Sequence, residues 1–486
     1  LNRPAADIPA NLNVGEKTPT GIPIQASERP PLNHPLPVSG GSRVGGGPRE
    51  GEGETEPGRA LTASAAAGRP GARALYIHVP FCVHKCHYCD FYSFVDTRDQ
   101  QGAFVERLIG ELAALSTHAR EPSGERAALR SVFIGGGTPS LLRVDLWERL
   151  LGALHERFDL SLMQPGRDGA ADGGVAPGEF TVECNPESTT DELLGLLASR
   201  GVNRVSVGAQ SFEPRHLKTL ERWHDPENVQ RAIETARRAG IPRQSVDLIF
   251  AIPGQTLEEW GSDLRRALAL QTTHVSCYNL TYEPNTAMTA RLRAGEFAPV
   301  DEDLEAEMFD LTLATMRGAG LARYEVSNFA VIGHESRHNL AYWRQEQWLA
   351  AGPSASAHVW AGPTMRAGSW RWKNVARLGD YLASGGARGG LAPVVDVEPP
   401  DPVRLVRERL MMGLRLEEGI DAAGLLADLR SVGEGGEARA ESLLRAARRV
   451  EDRGQLVCEA ATGRWRLTDA GMMLGDAIAG ELMRAV

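Results

Sequence analysis

Three cysteines stand close together just beyond a short apolar run. Cys82, Cys86 and Cys89 are spaced C-x3-C-x2-C within Tyr76 to Phe91, which reads Y-I-H-V-P-F-C-V-H-K-C-H-Y-C-D-F. Thiolates so spaced can each hold one iron of a cubane [4Fe–4S] cluster. A fourth ligand would complete it, so the remaining iron stays open to something exchangeable. The competing chemistry is a structural zinc with His84 or His87 as fourth ligand. Zinc sites usually pair two C-x2-4-C or H-x3-5-H halves, and no second half follows here. The remaining cysteines, Cys184, Cys277 and Cys458, lie far apart, as free thiols in a reducing compartment would.

A second group follows at Gly135-Gly136-Gly137-Thr138-Pro139. Consecutive glycines let backbone N–H and C=O groups approach a ligand with no Cβ in the way, and Thr138 adds a hydroxyl. The plain alternative is a tight turn, a common use of glycine. Glu183, Gln210 and Asp247 end or interrupt apolar runs, and Arg222 follows Gln210 closely. Carboxylates among strand residues are costly to bury unpaired. Two readings are open: Glu183, Arg222 and Asp247 neutralise one another, or they face a ligand at the strand ends.

Positioning these groups requires a regular scaffold. Candidate strands are Leu75–Val79, Ser131–Ile134, Phe180–Glu183, Arg204–Val207, Ser245–Phe250 and His274–Leu280. Amphipathic helical patterns alternate with them at Ala103–Leu115, Leu146–Phe158, Asp191–Ser199, Pro226–Ala239, Leu257–Leu270 and Glu302–Met316. Such alternation implies parallel strands with helices outside. Six units are too few for an eight-stranded barrel, so an α/β fold with a partial, TIM-like (β/α)6 barrel is expected over 73–325. Its site lies at the C-terminal strand ends. Residues 1–72 are rich in Pro, Gly, Ala and Glu without apolar period, and are expected to be a disordered tail. Segments 120–126 and 164–178 read as surface insertions. A Trp- and His-rich connecting region is expected over 326–392. Over 393–486, helices followed by a short hairpin suggest an α+β, winged-helix-like domain used for packing.

The 486 residues carry a formal net charge of −10, which disfavours nucleic acid as a partner. No apolar run is long enough to span a bilayer. No charged segment followed by an apolar core opens the sequence, so a cytoplasmic location is expected.

The cysteine spacing resembles the signature of the radical S-adenosylmethionine (SAM) superfamily. Together with G-G-G-T-P-S, V-E-C-N-P-E, V-S-V-G-A-Q-S-F and V-D-L-I-F-A-I-P-G-Q-T, it resembles the oxygen-independent coproporphyrinogen III oxidase family. That family holds true oxidases and a haem-chaperone branch, HemW. The oxidases carry another cysteine two places after the third, where this chain has Phe91. The segments Tyr324–Phe329 and Glu335–Trp343 resemble the chaperone branch, whereas Ala350–His358 is poorer in glycine than the family.

The resemblance implies a cluster on Cys82, Cys86 and Cys89 with SAM on the open iron. The SAM site would comprise Tyr76, Tyr88, Gly136, Gly137, Thr138, Glu183, Gln210, Arg222 and Asp247. Gly136 and its neighbours would take the ammonium, the carboxylates the ribose and ammonium, and Arg222 the SAM carboxylate. The family chemistry is one-electron reduction of the sulfonium to a 5′-deoxyadenosyl radical. Haem would be the cargo, passed to haem-accepting proteins such as respiratory enzymes. The alternative is oxidative decarboxylation of coproporphyrinogen III, so whether the protein is an enzyme is left open. His338, beside Tyr342 and Trp343, is the preferred haem ligand, with His78, His224, His274 and His358 as rivals. The plain reading of His338 is a packed or capping core residue.

Overall fold

The computed structural model describes residues 58, 60, 72–118, 125–163, 177–362, 364–384 and 390–486. The expected tail and most of the two expected insertions lie outside them. The chain enters on β1 (Ala74–Val79). Two short strands, β2 (Phe81–Cys82) and β3 (Phe94–Val95), then pair in parallel and bracket the cysteine loop. The alternation continues through β4 (Ser131–Gly136), β5 (Glu179–Cys184), β6 (Arg204–Gln210), β7 (Arg243–Phe250) and β8 (His274–Asn279). In the sheet, β1 and β4 to β8 lie side by side and all parallel. All six expected strands are present, with ends shifted by one to a few residues.

Alternation explains the two faces. Leu75, Ile77 and Val79 are fully buried in one apolar core with Phe104, Leu108 and Leu112 of the helix Gln101–His118. Between them, Tyr76 and His78 point to the opposite, interior face, where Tyr76 packs against Phe133 and His338.

Residues 326–392 correct the expectation of a separate connecting region. They extend the sheet on both sides. β9 (Ala322–Glu325) and β10 (Asn328–Ala330) add antiparallel strands beside β8. β11 (Trp348–Ala351) adds in parallel beside β1, followed by antiparallel β12 (Ser356–Trp360), β13 (Ser369–Asn374) and β14 (Val394–Glu398). The sheet thus reaches 12 strands. The helix Arg337–Trp343 carries the chain from one side to the other. Its start is held by Glu179, whose carboxylate accepts from Ser336 Oγ at 3.1 Å and from the N–H groups of Arg337 at 2.8 Å and His338 at 3.2 Å. Burial pushes that carboxyl up, but Arg204 and the helix N–H groups outweigh it and hold it below the ordinary range.

His338 is therefore part of a plug at the starts of the strands. One ring nitrogen meets Ser131 Oγ at 3.0 Å and the other meets Tyr342 Oη at 2.9 Å. The side chain is buried, which pulls its pKa down to about 4. With both nitrogens engaged beneath β4 and β5, this geometry does not offer His338 as an axial haem ligand. The packed-core reading describes it.

After the helix Pro402–Gly413, β15 (Ile420–Asp421), two helices, β16 (Leu456–Glu459) and β17 (Arg464–Leu467) build a small domain in winged-helix-like order. It has its own apolar core around Leu425, Leu443 and Leu482. Thr468 accepts from the Gly471 N–H, capping the next helix as expected.

His338→Ala would leave the Ser131 and Tyr342 hydroxyls buried without a partner. We expect a loss of about 2–4 kcal/mol in unfolding free energy, measured by urea denaturation. An unchanged midpoint would contradict the plug.

Candidate functional site

The cysteine loop leaves the C-terminal end of β1 and is tied down on three sides. Gly137 N–H donates to Val79 O at 2.7 Å and Thr138 N–H to Phe81 O at 2.7 Å, joining the glycine motif to the chain on both sides of Pro80. Phe94 N–H donates to Pro80 O at 2.9 Å. His87 N–H donates to Leu220 O, and His87 O accepts from Met288 N–H. Lys85 bonds Phe91 O and Ser93 Oγ within the loop.

Glycine is required where the motif approaches the loop. A Cβ on Gly136, whose φ is +110°, would stand 2.5 Å from the His78 ring, and one on Gly137 would stand 2.7 Å from Phe81 O. The approach expected of the motif is to a ligand; what the structure shows is close contact with His78 of β1 and with the chain entering the cysteine loop.

Cys82, Cys86 and Cys89 are partly buried free thiols. Thr138 Oγ1 donates to Cys82 Sγ at 3.6 Å, and Arg222 Nη1 to Cys86 Sγ at 3.8 Å. Burial pushes the Cys89 thiol up to about 11, so iron must displace its proton on binding. Among the described residues no three His, Cys, Asp or Glu side chains stand close enough to share one metal ion. A cubane instead takes one thiolate per iron and needs them apart. The donor set, with a guanidinium and a hydroxyl aimed at the sulfurs, suits an anionic cluster.

The remaining predicted residues gather around this loop. Glu183 Oε2 accepts from Gly136 N–H at 3.1 Å. Burial, then the nearby Asp247 carboxylate, raise the Glu183 pKa to about 7. Asp247 accepts from Ser276 Oγ at 2.7 Å and Ser206 Oγ at 2.9 Å, and its pKa is also raised, chiefly by burial. Arg222 Nη2 donates to Gly208 O at 3.1 Å. Its Nη atoms reach that carbonyl and Cys86, its Nε meets no partner, and it closes no ion pair with either carboxylate. The self-neutralising alternative is thus not the arrangement these side chains adopt. Gln210 has φ +64° and sits at a register shift in β6 opposite β7, a strained conformation for a non-glycine residue. Tyr88 is hydrogen-bonded to Cys86 and packs on Leu220, Ile249 and Met288.

Tyr76 lies one level deeper and belongs to a chain that sequence reasoning missed. His78 Nε2 must donate to Tyr92 O, at 2.7 Å, because a carbonyl only accepts. Nδ1 therefore accepts from Tyr76 Oη, at 3.0 Å. Burial pulls the His78 pKa down to about 4, which keeps this neutral tautomer. Ser206 and Ser276 were also missed. Strand register could have revealed Ser276, which pairs directly with Asp247.

The radical SAM superfamily model matches residues 76–267. The chain is 35% identical over 348 residues to the haem chaperone HemW of Lactococcus lactis, covering 71% of this chain and 82% of that protein. It is 32% identical over 414 residues to the haem chaperone HemW of Mycobacterium tuberculosis, covering 84% and 94%. The chain belongs to the HemW family. Its fold matches a solved structure of the coproporphyrinogen III oxidase HemN of Escherichia coli, a radical SAM enzyme. The TM-score is 0.68 at 20% identity, covering 87% of this chain and 93% of that one. At that identity the match speaks for the fold alone.

Because Glu183 keeps its proton up to about pH 7, the folded state loses stability as pH rises from its ordinary carboxyl range through 7. We expect a decline of roughly 3 kcal/mol across that window. Thermal melts of the apoprotein against pH should show it, and Glu183→Gln should flatten the slope. A slope unaltered by the substitution would contradict the assignment.

Proposed function

We propose that this protein carries haem as cargo and passes it to haem-accepting proteins, and that it works with a [4Fe–4S] cluster and SAM. The observation that carries the reading is the three-cysteine loop lashed to Gly137 and Thr138, in a chain whose relatives bear the name haem chaperone. Phe91, 44% exposed on that loop, stands where a further thiol would favour the oxidase reading.

In this reading Cys82, Cys86 and Cys89 hold the cluster. Gly136, Gly137, Thr138, Glu183 and Asp247 receive the ammonium and ribose of SAM. Arg222 offers its guanidinium to the SAM carboxylate, as planar forks suit carboxylates. Gln210 and Tyr76 close the remaining sides, and Tyr88 shields the loop from water. When bound, the cluster and SAM supply one-electron chemistry. The chain's residues hold the nucleotide and keep water out. No helix among the described residues is long and apolar enough to cross a membrane.

Anaerobic reconstitution should give about four iron and four sulfide per chain, and Cys82→Ser, Cys86→Ser or Cys89→Ser should abolish it. The reconstituted protein should bind haem with a Soret band, and should form no protoporphyrinogen from coproporphyrinogen III with SAM and reductant. Product formation would replace this reading with the oxidase.

A further inference from the structure

Asp247 is gripped by hydroxyls from three neighbouring strands. Ser276 Oγ on β8 donates to its Oδ1 at 2.7 Å. Ser206 Oγ on β6 lies 2.9 Å from Oδ2 and 3.1 Å from Oδ1. Ser245 Oγ on β7 makes a longer contact with Oδ1, at 3.4 Å. All three serines are buried. Strand register brings them there: Ser206 pairs with Ser245, and Ser276 pairs with Asp247 itself. Glu183, the other carboxyl of the pair, is supported differently. Among the described residues, one hydrogen bond reaches its carboxyl, from Gly136 N–H at 3.1 Å.

A second row stands behind the serines. Ser245 Oγ also meets His274 Nδ1 at 2.8 Å, and His274 Nε2 meets Tyr324 Oη at 2.9 Å. Burial keeps His274 neutral, so one of its nitrogens carries the proton. An ionised carboxylate only accepts. With Asp247 ionised, Ser245 gives it its single proton and accepts from His274 Nδ1–H. Nε2 is then bare and accepts from Tyr324 Oη–H. The Tyr324 oxygen accepts in turn from the Ser336 N–H and from Asn339 Nδ2, each at 3.4 Å. Every donor in this array points toward Asp247.

We propose that Ser206, Ser245 and Ser276, with His274 behind them, are positioning residues that place the negative charge of this buried pair on Asp247 and leave the proton on Glu183. Hydrogen bonds to a carboxylate favour its charged form, and two neighbouring acids with unequal support divide a single charge accordingly. Oδ1 takes three hydroxyls and Oδ2 takes one, so Oδ2 keeps an acceptor position for a donor group of the nucleotide. Glu183, protonated, offers a donor instead. Arg204 favours charge on both carboxyls, and Arg222 favours it on Glu183, but burial and Asp247 outweigh them there. Tyr76, Tyr342 and Cys184 face Glu183, and Cys277 and Tyr278 face Asp247; all five have raised pKa values and stay neutral. This inference rests on the SAM reading of the site.

The test is the affinity of the reconstituted full chain for SAM as a function of pH, measured by anaerobic calorimetric titration. Removing hydroxyl donors destabilises the Asp247 anion, so the first ionisation of the pair moves to higher pH. In the double variant Ser206→Ala, Ser276→Ala, the loss of SAM affinity toward acid should set in about one pH unit higher than in the parent. Affinity should recover at the alkaline end, with iron content unchanged. Should the double variant fail to fold, each single variant should show a smaller shift in the same direction. Affinity lowered equally at every pH, or a profile that does not move, would mean that the serines only fill space; the inference is then overturned and the SAM reading stands. If the parent binds no SAM, that reading fails and this inference falls with it.

Discussion

Two backbone hydrogen bonds, from Gly137 N–H to Val79 O and from Thr138 N–H to Phe81 O, fix the position of everything else at the site. They join the end of β4 to the chain as it leaves β1, and the cysteine loop hangs from that joint. Each bond is worth only about 1 kcal/mol net, so they act by geometry and not by strength. They bring a hydroxyl to Cys82 and leave Gly136 N–H free to meet Glu183. A Cβ at Gly136 or Gly137 would force His78 or Phe81 away, and the loop would lose its support.

The barrel interior divides its charges by level. Near the strand starts, Glu179 is held ionised by Arg204 and by helix N–H groups, and it anchors the helix that bears His338. Near the strand ends, Glu183 and Asp247 are buried with raised pKa values, and Arg222 is turned toward sulfur and a carbonyl. On the lower level the Glu179 carboxylate accepts from Ser336, Arg337 and His338. The upper level carries carboxylates whose charge would be relieved by a cation. Buried groups with such shifts are candidates for a binding site.

Much of this could be read from the residues. The six parallel strands announced themselves as short apolar runs because their outer faces are sealed by helices. The cysteine trio and the glycine motif are local patterns whose spacing is their chemistry. What could not be read was pairing between distant segments. Nothing local in Trp348–Ala351 says that it pairs with Ala74–Ile77, so residues 326–392 looked like a Trp- and His-rich connecting region when they extend the sheet. The same blindness made His338 look like a ligand. Its aromatic neighbours suggested a haem pocket, whereas Ser131, which fills one of its nitrogens, comes from a strand far earlier in the sequence.

The central claim is an open iron on a cluster held by Cys82, Cys86 and Cys89, and electron paramagnetic resonance of dithionite-reduced, oxygen-free protein tests it most directly. The account predicts a reduced [4Fe–4S] signal whose g values change when SAM is added. A signal indifferent to SAM, or zinc in place of iron at these thiols, would contradict it.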